Sequence, residues 1–201
     1  MLLYNSQISG NCYKVRLLLA HLGIPYERRE LDVVDRANRP GVLGGLNPAL
    51  RVPTLVLDDG RGLGESGAIL WYFGEGTRFV PENRLDRARV LQWMFFEQYE
   101  AEPMLAVARF LIAYSQLSRA EYEKRLPRLW EGGAKALATM ERHLRNGGNW
   151  FVGDAPTLAD IALFGYAHCC EEGEFDLAPY PHVRDWLARV AAMPGHVPMS
   201  A

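Results

Sequence analysis

Residues able to take part in binding chemistry cluster between positions 51 and 66. Arg51 carries a positive charge, and Val52 precedes Pro53, which favours an extended backbone at Val52 with N–H and C=O exposed as on a strand edge. Glu65 and Ser66 open an amphipathic segment, where the N–H groups and dipole of a helix start suit a carboxylate. Glu65 carries a negative charge, which suits an ammonium group. A matching ligand therefore carries both a carboxylate and an ammonium group and lies along the extended edge at Val52. These residues therefore predict a small amino-acid-like or peptide ligand.

The pattern around this stretch predicts the elements that position it. Seven segments have the character of regular structure: strands at 1–4, 26–34, 54–57 and near 63, helices at 11–22 and 65–73, and a weaker helix or loop at 36–46. The hairpin between the last two strands turns at Asp58-Asp59-Gly60. The resulting order, β-α-β-x-β-β-α, is that of a thioredoxin-like domain.

The second half of the sequence shows helical periodicity only. After a linker at 74–83, apolar residues recur every three or four positions, and Pro103 is expected to kink or break the first long helix. The predicted fold class is therefore α/β followed by all-α, with domains at 1–76 and 84–201. The residues after Pro194 are expected to be loosely held.

The sequence predicts a helix start at 157–160. Thr157 and Asp160 have the spacing of a capping box, with Asp in place of the usual Glu or Gln, directly before an apolar run. Each side chain can satisfy an N–H group that the helix itself leaves without a partner. In isolation the box predicts a helix start and no chemistry.

Together these motifs resemble those of cytosolic glutathione transferases over nearly the whole chain. Val52-Pro53, the hairpin and Glu65-Ser66 resemble the glutathione-binding half, and the segment 151–154 with the following capping box resembles a folding motif of the carboxy-terminal helical domain. The resemblance implies glutathione as co-substrate, a small hydrophobic electrophile bound against the helical domain, a homodimer and a detoxification role. In that family the proline equivalent to Pro53 is cis.

The resemblance also implies roles for individual residues in binding glutathione. Glu65 and Ser66 would take the γ-glutamyl end, and Val52 would pair its backbone with the cysteinyl unit. Arg51 would face the glycine carboxylate, with Arg39 as a second candidate for the same group. Pro53 would fix the backbone of the edge that Val52 presents.

The resemblance implies that residues of the loop before the first helix activate the glutathione thiol. A free thiol has a pKa near 8.5, and lowering it by two units requires about 2.7 kcal/mol, which a hydroxyl or amide donor and a helix start can supply. Ser9 and Asn11 resemble the serine loop of theta-like enzymes and the Thr-x-Asn pattern of bacterial nu-class proteins. Ser9 is our first candidate for the residue that activates the thiol, Asn11 is the second and Ser6 is a third. The alternative role of Ser9 or Asn11 is to cap a turn.

Cysteine and histidine usage predicts no metal and no disulfide framework. The three cysteines, Cys12, Cys169 and Cys170, are too few and poorly spaced, and the five histidines form no pair at helical spacing. Cys12 stands at a helix start, where a thiol can be reactive. Without a Cys-x-x-Cys motif, we interpret it as a packed residue.

Composition narrows the class of partner. The chain of 201 residues is 49% hydrophobic and 23% charged, with a net charge of −2, which gives no reason to expect nucleic acid or an anionic membrane as partner. It contains no apolar run long enough to cross a bilayer, so we expect a cytoplasmic protein.

The leading functional hypothesis is a glutathione transferase that stabilises the thiolate of glutathione for attack on an electrophile. The enzymatic alternative is glutathione-dependent reduction of a disulfide or peroxide, as the nu-class resemblance suggests. A third possibility is a binding module of the same fold without catalysis, because fold does not fix function.

Overall fold

The computed structural model describes residues 1–201, which form two compact units. The first unit contains Met1–Thr77 and Pro194–Ala201, and the second contains Arg78–Met193. This division differs from the predicted ranges mainly in the last eight residues. They lie with the first unit because their backbone carbonyls accept hydrogen bonds from its side chains.

The first unit contains a mixed four-stranded sheet. Its strands are β1 (Leu2–Asn5), β2 (Glu27–Glu30), β3 (Thr54–Val56) and β4 (Gly62–Gly64), and their order across the sheet is β2-β1-β3-β4. β1 pairs parallel to β2 and antiparallel to β3, while β3 pairs antiparallel to β4. The thioredoxin-like order is thus confirmed, although β2 is shorter than the predicted strand at 26–34.

Three helices complete the first unit: α1 (Gly10–Leu22), α2 (Arg39–Leu43) and α3 (Ser66–Gly74). Neighbouring residues of β1 point to opposite faces of the sheet. Leu3 packs in a core with residues of α1 and α3, whereas Tyr4 packs with Leu31 and with Leu43 of α2. The sheet is therefore covered on both faces, and the irregular segment at 36–46 contains a short helix.

The second unit is all-helical. Its elements are α4 (Arg84–Phe96), a π-helical turn (Glu97–Ala101), α5 (Glu102–Arg109), a second π-helical turn (Phe110–Tyr114), α6 (Arg119–Tyr122), a 3-10 turn (Glu123–Arg125), α7 (Leu126–Gly147), α8 (Leu158–Ala167), a 3-10 turn (Cys170–Gly173) and α9 (Pro181–Ala191). None of these helices combines the length with the apolar character that a membrane-spanning segment requires.

Pro103 lies directly after the first π-helical turn. The N–H of Glu102 donates to the carbonyl of Glu97, five residues earlier, so the hydrogen-bond register widens immediately before the proline. A proline has no N–H and its ring crowds the preceding turn, and a π turn is one way in which a helix accommodates this. The helix is therefore altered at the predicted place without ending there.

α8 lies in the core of the second unit, and all ten of its residues are buried. Thr157 and Asp160 form the predicted capping box at its start. The Asp160 carboxylate accepts hydrogen bonds from the backbone N–H and hydroxyl of Thr157, the backbone N–H of Phe151 and the indole N–H of Trp186. One carboxylate thus joins the start of α8 to the preceding loop and to α9.

Candidate active site

Ser9 lies at the N-cap of α1 and satisfies the helix start. Its backbone is extended (φ −84°, ψ 118°), and its Oγ accepts a hydrogen bond from the backbone N–H of Cys12 at 3.3 Å. Serine is favoured at this position because its short side chain can reach those N–H groups. The half-buried Ser9 therefore has the capping role that the sequence left as its alternative.

Asn11 connects the starts of two helices. Its Oδ1 accepts hydrogen bonds from Lys14 Nζ at 2.6 Å and from Ser66 Oγ at 3.2 Å. Ser66 is the first residue of α3 and is buried, while Asn11 lies half-buried in the first turn of α1. Two helix N-termini thus meet at this point, and both direct positive partial charge towards it. The contact brings together one residue predicted to activate a thiol and one predicted to bind the glutamyl group.

Glu65 stands directly before α3 in a strained conformation. Its φ of 65° lies in the left-handed region that residues other than glycine rarely adopt, and its side chain is exposed and makes no capping hydrogen bond. Such strain costs about 1–3 kcal/mol and is concentrated at binding sites. The carboxylate of Glu65 is therefore held outside the helix start, where a ligand can reach it.

The Val52-Pro53 peptide bond is cis and leads directly into β3. Pro53 is buried, Val52 is half-buried and the Arg51 side chain is exposed. The Arg51 carbonyl accepts hydrogen bonds from Thr54 Oγ1 at 2.6 Å and from Asn47 Nδ2 at 3.1 Å. The backbone of this turn is fixed, whereas the guanidinium of Arg51 lies in solvent.

Asn47 braces the same turn and was not singled out from the sequence. Its buried side chain also donates to Thr54 Oγ1 at 2.8 Å and accepts from the backbone N–H of Ala49 at 3.0 Å. A Cβ at Gly64 would stand 2.7 Å from the Asn47 amide, so β4 needs glycine there. The Asn-Pro pair at 47–48 is a turn signal that could have pointed to this role.

Arg39 and Ser6 take structural positions. Arg39 is buried, and its guanidinium donates to the carbonyls of Asp32 at 2.8 Å and Leu50 at 3.3 Å. Burial lowers the pKa of Arg39. Ser6 is buried, and its backbone N–H donates to Cys12 Sγ at 3.3 Å. Neither side chain has the exposure of Arg51 or Glu65.

The three cysteines are buried and protonated at neutral pH. Burial raises the pKa of Cys12 to about 11 and the pKa values of Cys169 and Cys170 to about 12. A thiolate is the reactive form, so none of the three has the environment of a nucleophile. The interpretation of Cys12 as a packed residue agrees with this. The chain contains no group of three or more His, Cys, Asp or Glu side chains arranged to hold a metal ion.

The loop that carries Ser9 is also held by the segment at 194–201, an arrangement that the sequence did not indicate. Gln7 Nε2 donates to the carbonyls of Met199 and Ala201, and its Oε1 accepts from Arg16 NH1 at 2.8 Å. The buried Arg16 also donates to the Met199 carbonyl at 2.7 Å. The Tyr13 hydroxyl donates to the Val197 carbonyl at 2.8 Å. The tail is therefore firmly attached, contrary to the expectation that it is loosely held.

Aromatic residues of the second unit differ in exposure. Phe95 and Tyr99 are 62% and 76% exposed and so are not core residues. The buried Arg109 donates to Glu172 Oε2 at 2.9 Å and to the Tyr114 hydroxyl at 2.8 Å, with its guanidinium 4.7 Å from the Tyr114 ring centroid. These groups satisfy one another within the unit.

The fold and the site define a known class of protein. Its first unit is thioredoxin-like, with a cis-proline turn and a strained acidic residue at a helix start, and an all-helical unit follows in the chain. The family model of the glutathione S-transferase N-terminal domain matches residues 8–75, and that of the glutathione S-transferase C-terminal domain matches residues 102–194. The chain belongs to the glutathione S-transferase family.

Particular relatives include proteins with different names. A solved structure of a possible glutathione S-transferase from Rhodopseudomonas palustris is 42% identical with a TM-score of 0.94, and the match covers 100% of this chain and 90% of that one. The disulfide-bond oxidoreductase YfcG of Escherichia coli is 29% identical over 92% of this chain and 87% of its own. A maleylacetoacetate isomerase of Rhizobium meliloti is 30% identical over 89% of this chain and 85% of its own.

Proposed function

We propose that this protein binds glutathione in its first unit and stabilises the thiolate for attack on a small hydrophobic electrophile. The observation that carries the proposal is the 3.2 Å hydrogen bond between Ser66 Oγ and Asn11 Oδ1. It joins the two parts of the chain for which the sequence predicts glutamyl binding and thiol activation. The ligand's amino-acid end and its thiol can then be held by neighbouring helix starts.

The binding roles follow from charge and backbone geometry. The exposed Glu65 carboxylate suits the ammonium of the γ-glutamyl group, and the N-terminus of α3 at Ser66 suits its carboxylate. Val52, held by the turn before β3, offers backbone hydrogen bonds to the cysteinyl unit, with Pro53 fixing that edge. The exposed Arg51 is our candidate for the glycine carboxylate.

For thiol activation we propose Asn11 as the principal donor and Ser9 as a contributor. The Ser9 hydroxyl is engaged with Cys12, whereas Asn11 lies at the convergence of α1 and α3. An amide N–H aimed at a thiolate stabilises the charged form and lowers the thiol pKa. A typical loss of one such donor reduces turnover by tenfold or more.

The experiment compares Asn11→Ala and Ser9→Ala with the unsubstituted protein. Calorimetric titration with reduced glutathione measures binding, and turnover with a panel of small electrophiles measures activation. We expect turnover to fall at least tenfold in Asn11→Ala and less in Ser9→Ala, with glutathione affinity roughly retained in both. Unchanged turnover in both variants would refute the assignment.

Asn83→Ala is the matched control for the loss of a helix cap. The exposed Asn83 caps α4, in the second unit, where its Oδ1 accepts hydrogen bonds from the backbone N–H groups of Leu85 at 2.8 Å and Asp86 at 3.2 Å. Loss of a cap costs about 1 kcal/mol of stability. Asn83→Ala is therefore expected to lower stability as Ser9→Ala does while leaving turnover unchanged.

A second candidate activity is glutathione-dependent reduction of a disulfide. It is favoured by the relative named as a disulfide-bond oxidoreductase and by the burial of all three cysteines. One glutathione thiolate would attack the disulfide and release a thiol, and a second glutathione would resolve the mixed disulfide, giving glutathione disulfide and the second thiol. Tighter binding of glutathione disulfide than of glutathione, and full reductase activity in Cys12→Ala, would favour this candidate.

Absence of binding to both forms of glutathione would leave a non-catalytic binding module as the remaining function.

We propose that the protein is cytoplasmic and that it is a homodimer. The dimer proposal is supported by apolar side chains exposed on one stretch of the second unit, namely Leu85, Phe95 and Tyr99.

A further inference from the structure

Asn47 is a buried asparagine whose side-chain hydrogen bonds all go to one turn. Only 5% of its surface is exposed. Its Nδ2 donates to the Arg51 carbonyl at 3.1 Å and to Thr54 Oγ1 at 2.8 Å, while its Oδ1 accepts from the backbone N–H of Ala49 at 3.0 Å. The carbonyl must face the NH2 group and the N–H must face the oxygen, so the orientation of the amide is fixed. The amide in turn fixes the backbone between positions 47 and 54.

The Arg51 carbonyl is held at two points. Besides the Asn47 amide, the Thr54 hydroxyl donates to it at 2.6 Å, so both lone pairs of the oxygen are used. The peptide between Arg51 and Val52 is planar and trans, and in such a peptide the N–H points opposite to the C=O. A carbonyl held on the buried Asn47 therefore fixes the Val52 N–H in the direction away from Asn47.

Val52 is the residue of this turn that keeps its backbone groups for other partners. It is half-buried, and its N–H and C=O make no hydrogen bond within the chain. Backbone groups removed from water are nearly always paired in native proteins. The pair at Val52 therefore suits the backbone of an extended ligand, and the Asn47 amide sets the direction of its donor.

β4 packs against the same amide. A Cβ at Gly64 would stand 2.7 Å from Asn47 Nδ2 and 2.9 Å from its Cγ, so the glycine allows an approach that leaves the amide no room to shift towards β4. Gly64 directly precedes Glu65, our candidate partner for the ammonium of the ligand. Asn47 thus contacts both stretches of the first unit that we propose to bind the γ-glutamyl-cysteinyl part of the ligand.

We propose that Asn47 is a positioning residue for glutathione binding: by holding the Arg51 carbonyl, it directs the Val52 N–H towards the cysteinyl carbonyl of the ligand. This inference rests on the proposed function and assigns Asn47 a role in affinity and none in thiol activation. Asn47 acts through the peptide between Arg51 and Val52 and does not itself touch the ligand.

The test is a cycle of two ligands and two proteins, measured by calorimetric titration. The ligands are S-methylglutathione and its analogue in which a trans carbon–carbon double bond replaces the cysteinyl-glycyl amide, so that the carbonyl acceptor is lost and the shape is kept. We expect the unsubstituted protein to bind the analogue about fivefold more weakly, as for one lost hydrogen bond. In Asn47→Ala, S-methylglutathione should bind about fivefold more weakly, and the two ligands should agree within about twofold.

Steady-state kinetics provide a readout that damage to the fold would not reproduce. In Asn47→Ala we expect KM for glutathione to rise about fivefold while kcat at saturating glutathione stays within about threefold, because only binding common to the ground and transition states is lost. The pKa of the bound thiol should not shift. Asn47→Asp keeps the oxygen that accepts from Ala49 but loses both donors, so it should weaken binding as Asn47→Ala does.

Leu19→Ala is the control for lost stability in the first unit. Leu19 is fully buried in α1 and packs in the core on one face of the sheet, whereas Val52 packs on the other face. Truncation of a buried leucine destabilises a protein at least as much as loss of a few hydrogen bonds. We expect Leu19→Ala to retain both affinities and the difference between the two ligands.

A purely structural role for Asn47 gives a different result. Both ligands would then weaken equally in Asn47→Ala with their difference retained, and that outcome overturns the inference, as does an unchanged affinity or a starting protein that does not distinguish the ligands. If Asn47→Ala fails to fold, Thr54→Val removes the other donor to the Arg51 carbonyl, and a fully retained difference there is equally contrary. A starting protein that binds no S-methylglutathione overturns the proposed function and this inference together, whereas normal binding with a retained difference in the variants overturns the Asn47 role alone.

Discussion

The substitution Asp160→Asn tests how the second unit is held together. Asp160 is completely buried, and each carboxylate oxygen accepts two hydrogen bonds. Oδ1 accepts from the Phe151 N–H at 3.2 Å and the Trp186 indole at 3.0 Å, while Oδ2 accepts from the Thr157 N–H at 2.8 Å and its hydroxyl at 3.1 Å. Burial raises the pKa of Asp160, but all four contacts bring a hydrogen to oxygen, so we expect the carboxylate form near neutral pH.

The expected cost follows from counting the donors that the substituted amide would leave without an acceptor. The new NH2 group is best placed towards Thr157, because that hydroxyl can rotate and accept. One buried backbone N–H, that of Thr157, then faces another donor. An unsatisfied buried donor costs about 1–3 kcal/mol, and loss of charge-assisted bonds adds to it, so we expect a loss of about 2–4 kcal/mol of unfolding free energy.

Urea unfolding followed by tryptophan fluorescence measures this loss. Four of the five tryptophans lie in the second unit, so fluorescence reports mainly on it. Asp154→Asn is the matched control, because Asp154 is exposed and surface substitutions usually stay within about 0.5 kcal/mol. If Asp160→Asn unfolds within about 0.5 kcal/mol of the unsubstituted protein with the same denaturant dependence, the reasoning about this carboxylate is wrong.

Three further predictions follow from burial and exposure. In native protein at about pH 8 we expect no cysteine to react with an aromatic disulfide reagent and all three to react after unfolding, because burial raises their pKa values to about 11 or 12; one fast native thiol would contradict this. Stability should fall as pH rises from 9.0 towards about 11, since the unfolded Cys12 thiol ionises before the folded one; urea midpoints should fall less steeply in Cys12→Ala. Combined Phe95→Glu and Tyr99→Glu should give a monomer by light scattering, whereas Leu117→Glu, on another exposed apolar residue, should not; a monomeric starting protein at micromolar concentration would argue against the dimer.

The local elements around the candidate site were readable from the sequence. The turn at 58–60 and the change of pattern at Glu65 predict β3, β4 and α3, because turn residues and hydrophobic periods act over a few neighbours. The capping box at 157–160 was equally local. The strain at Glu65 was not predictable, because no sequence pattern requires a positive φ there.

Contacts between residues far apart in the sequence were harder to predict from the sequence. The tail contacts depend on backbone carbonyls at Val197 and Met199, which any residue would provide, so the sequence carried no signal for them. The bond between Ser66 and Asn11 joins positions 55 residues apart, and only the resemblance to a family linked them beforehand. Pro103 predicted that the helix is kinked or broken near this position, but the sequence did not specify that the change takes the form of a π-helical turn.

The attachment of residues 194–201 to the first unit has a consequence for biosynthesis. Gln7 and Arg16 obtain their partners at Met199 only after the entire second unit has been translated, which takes roughly 10 s at typical rates. Until then a nascent chain carries the loop before α1 without those hydrogen bonds. The proposed glutathione binding at this loop is therefore expected to be acquired only once residues 194–201 have been made, even though nearly all the residues that compose the candidate site emerge first.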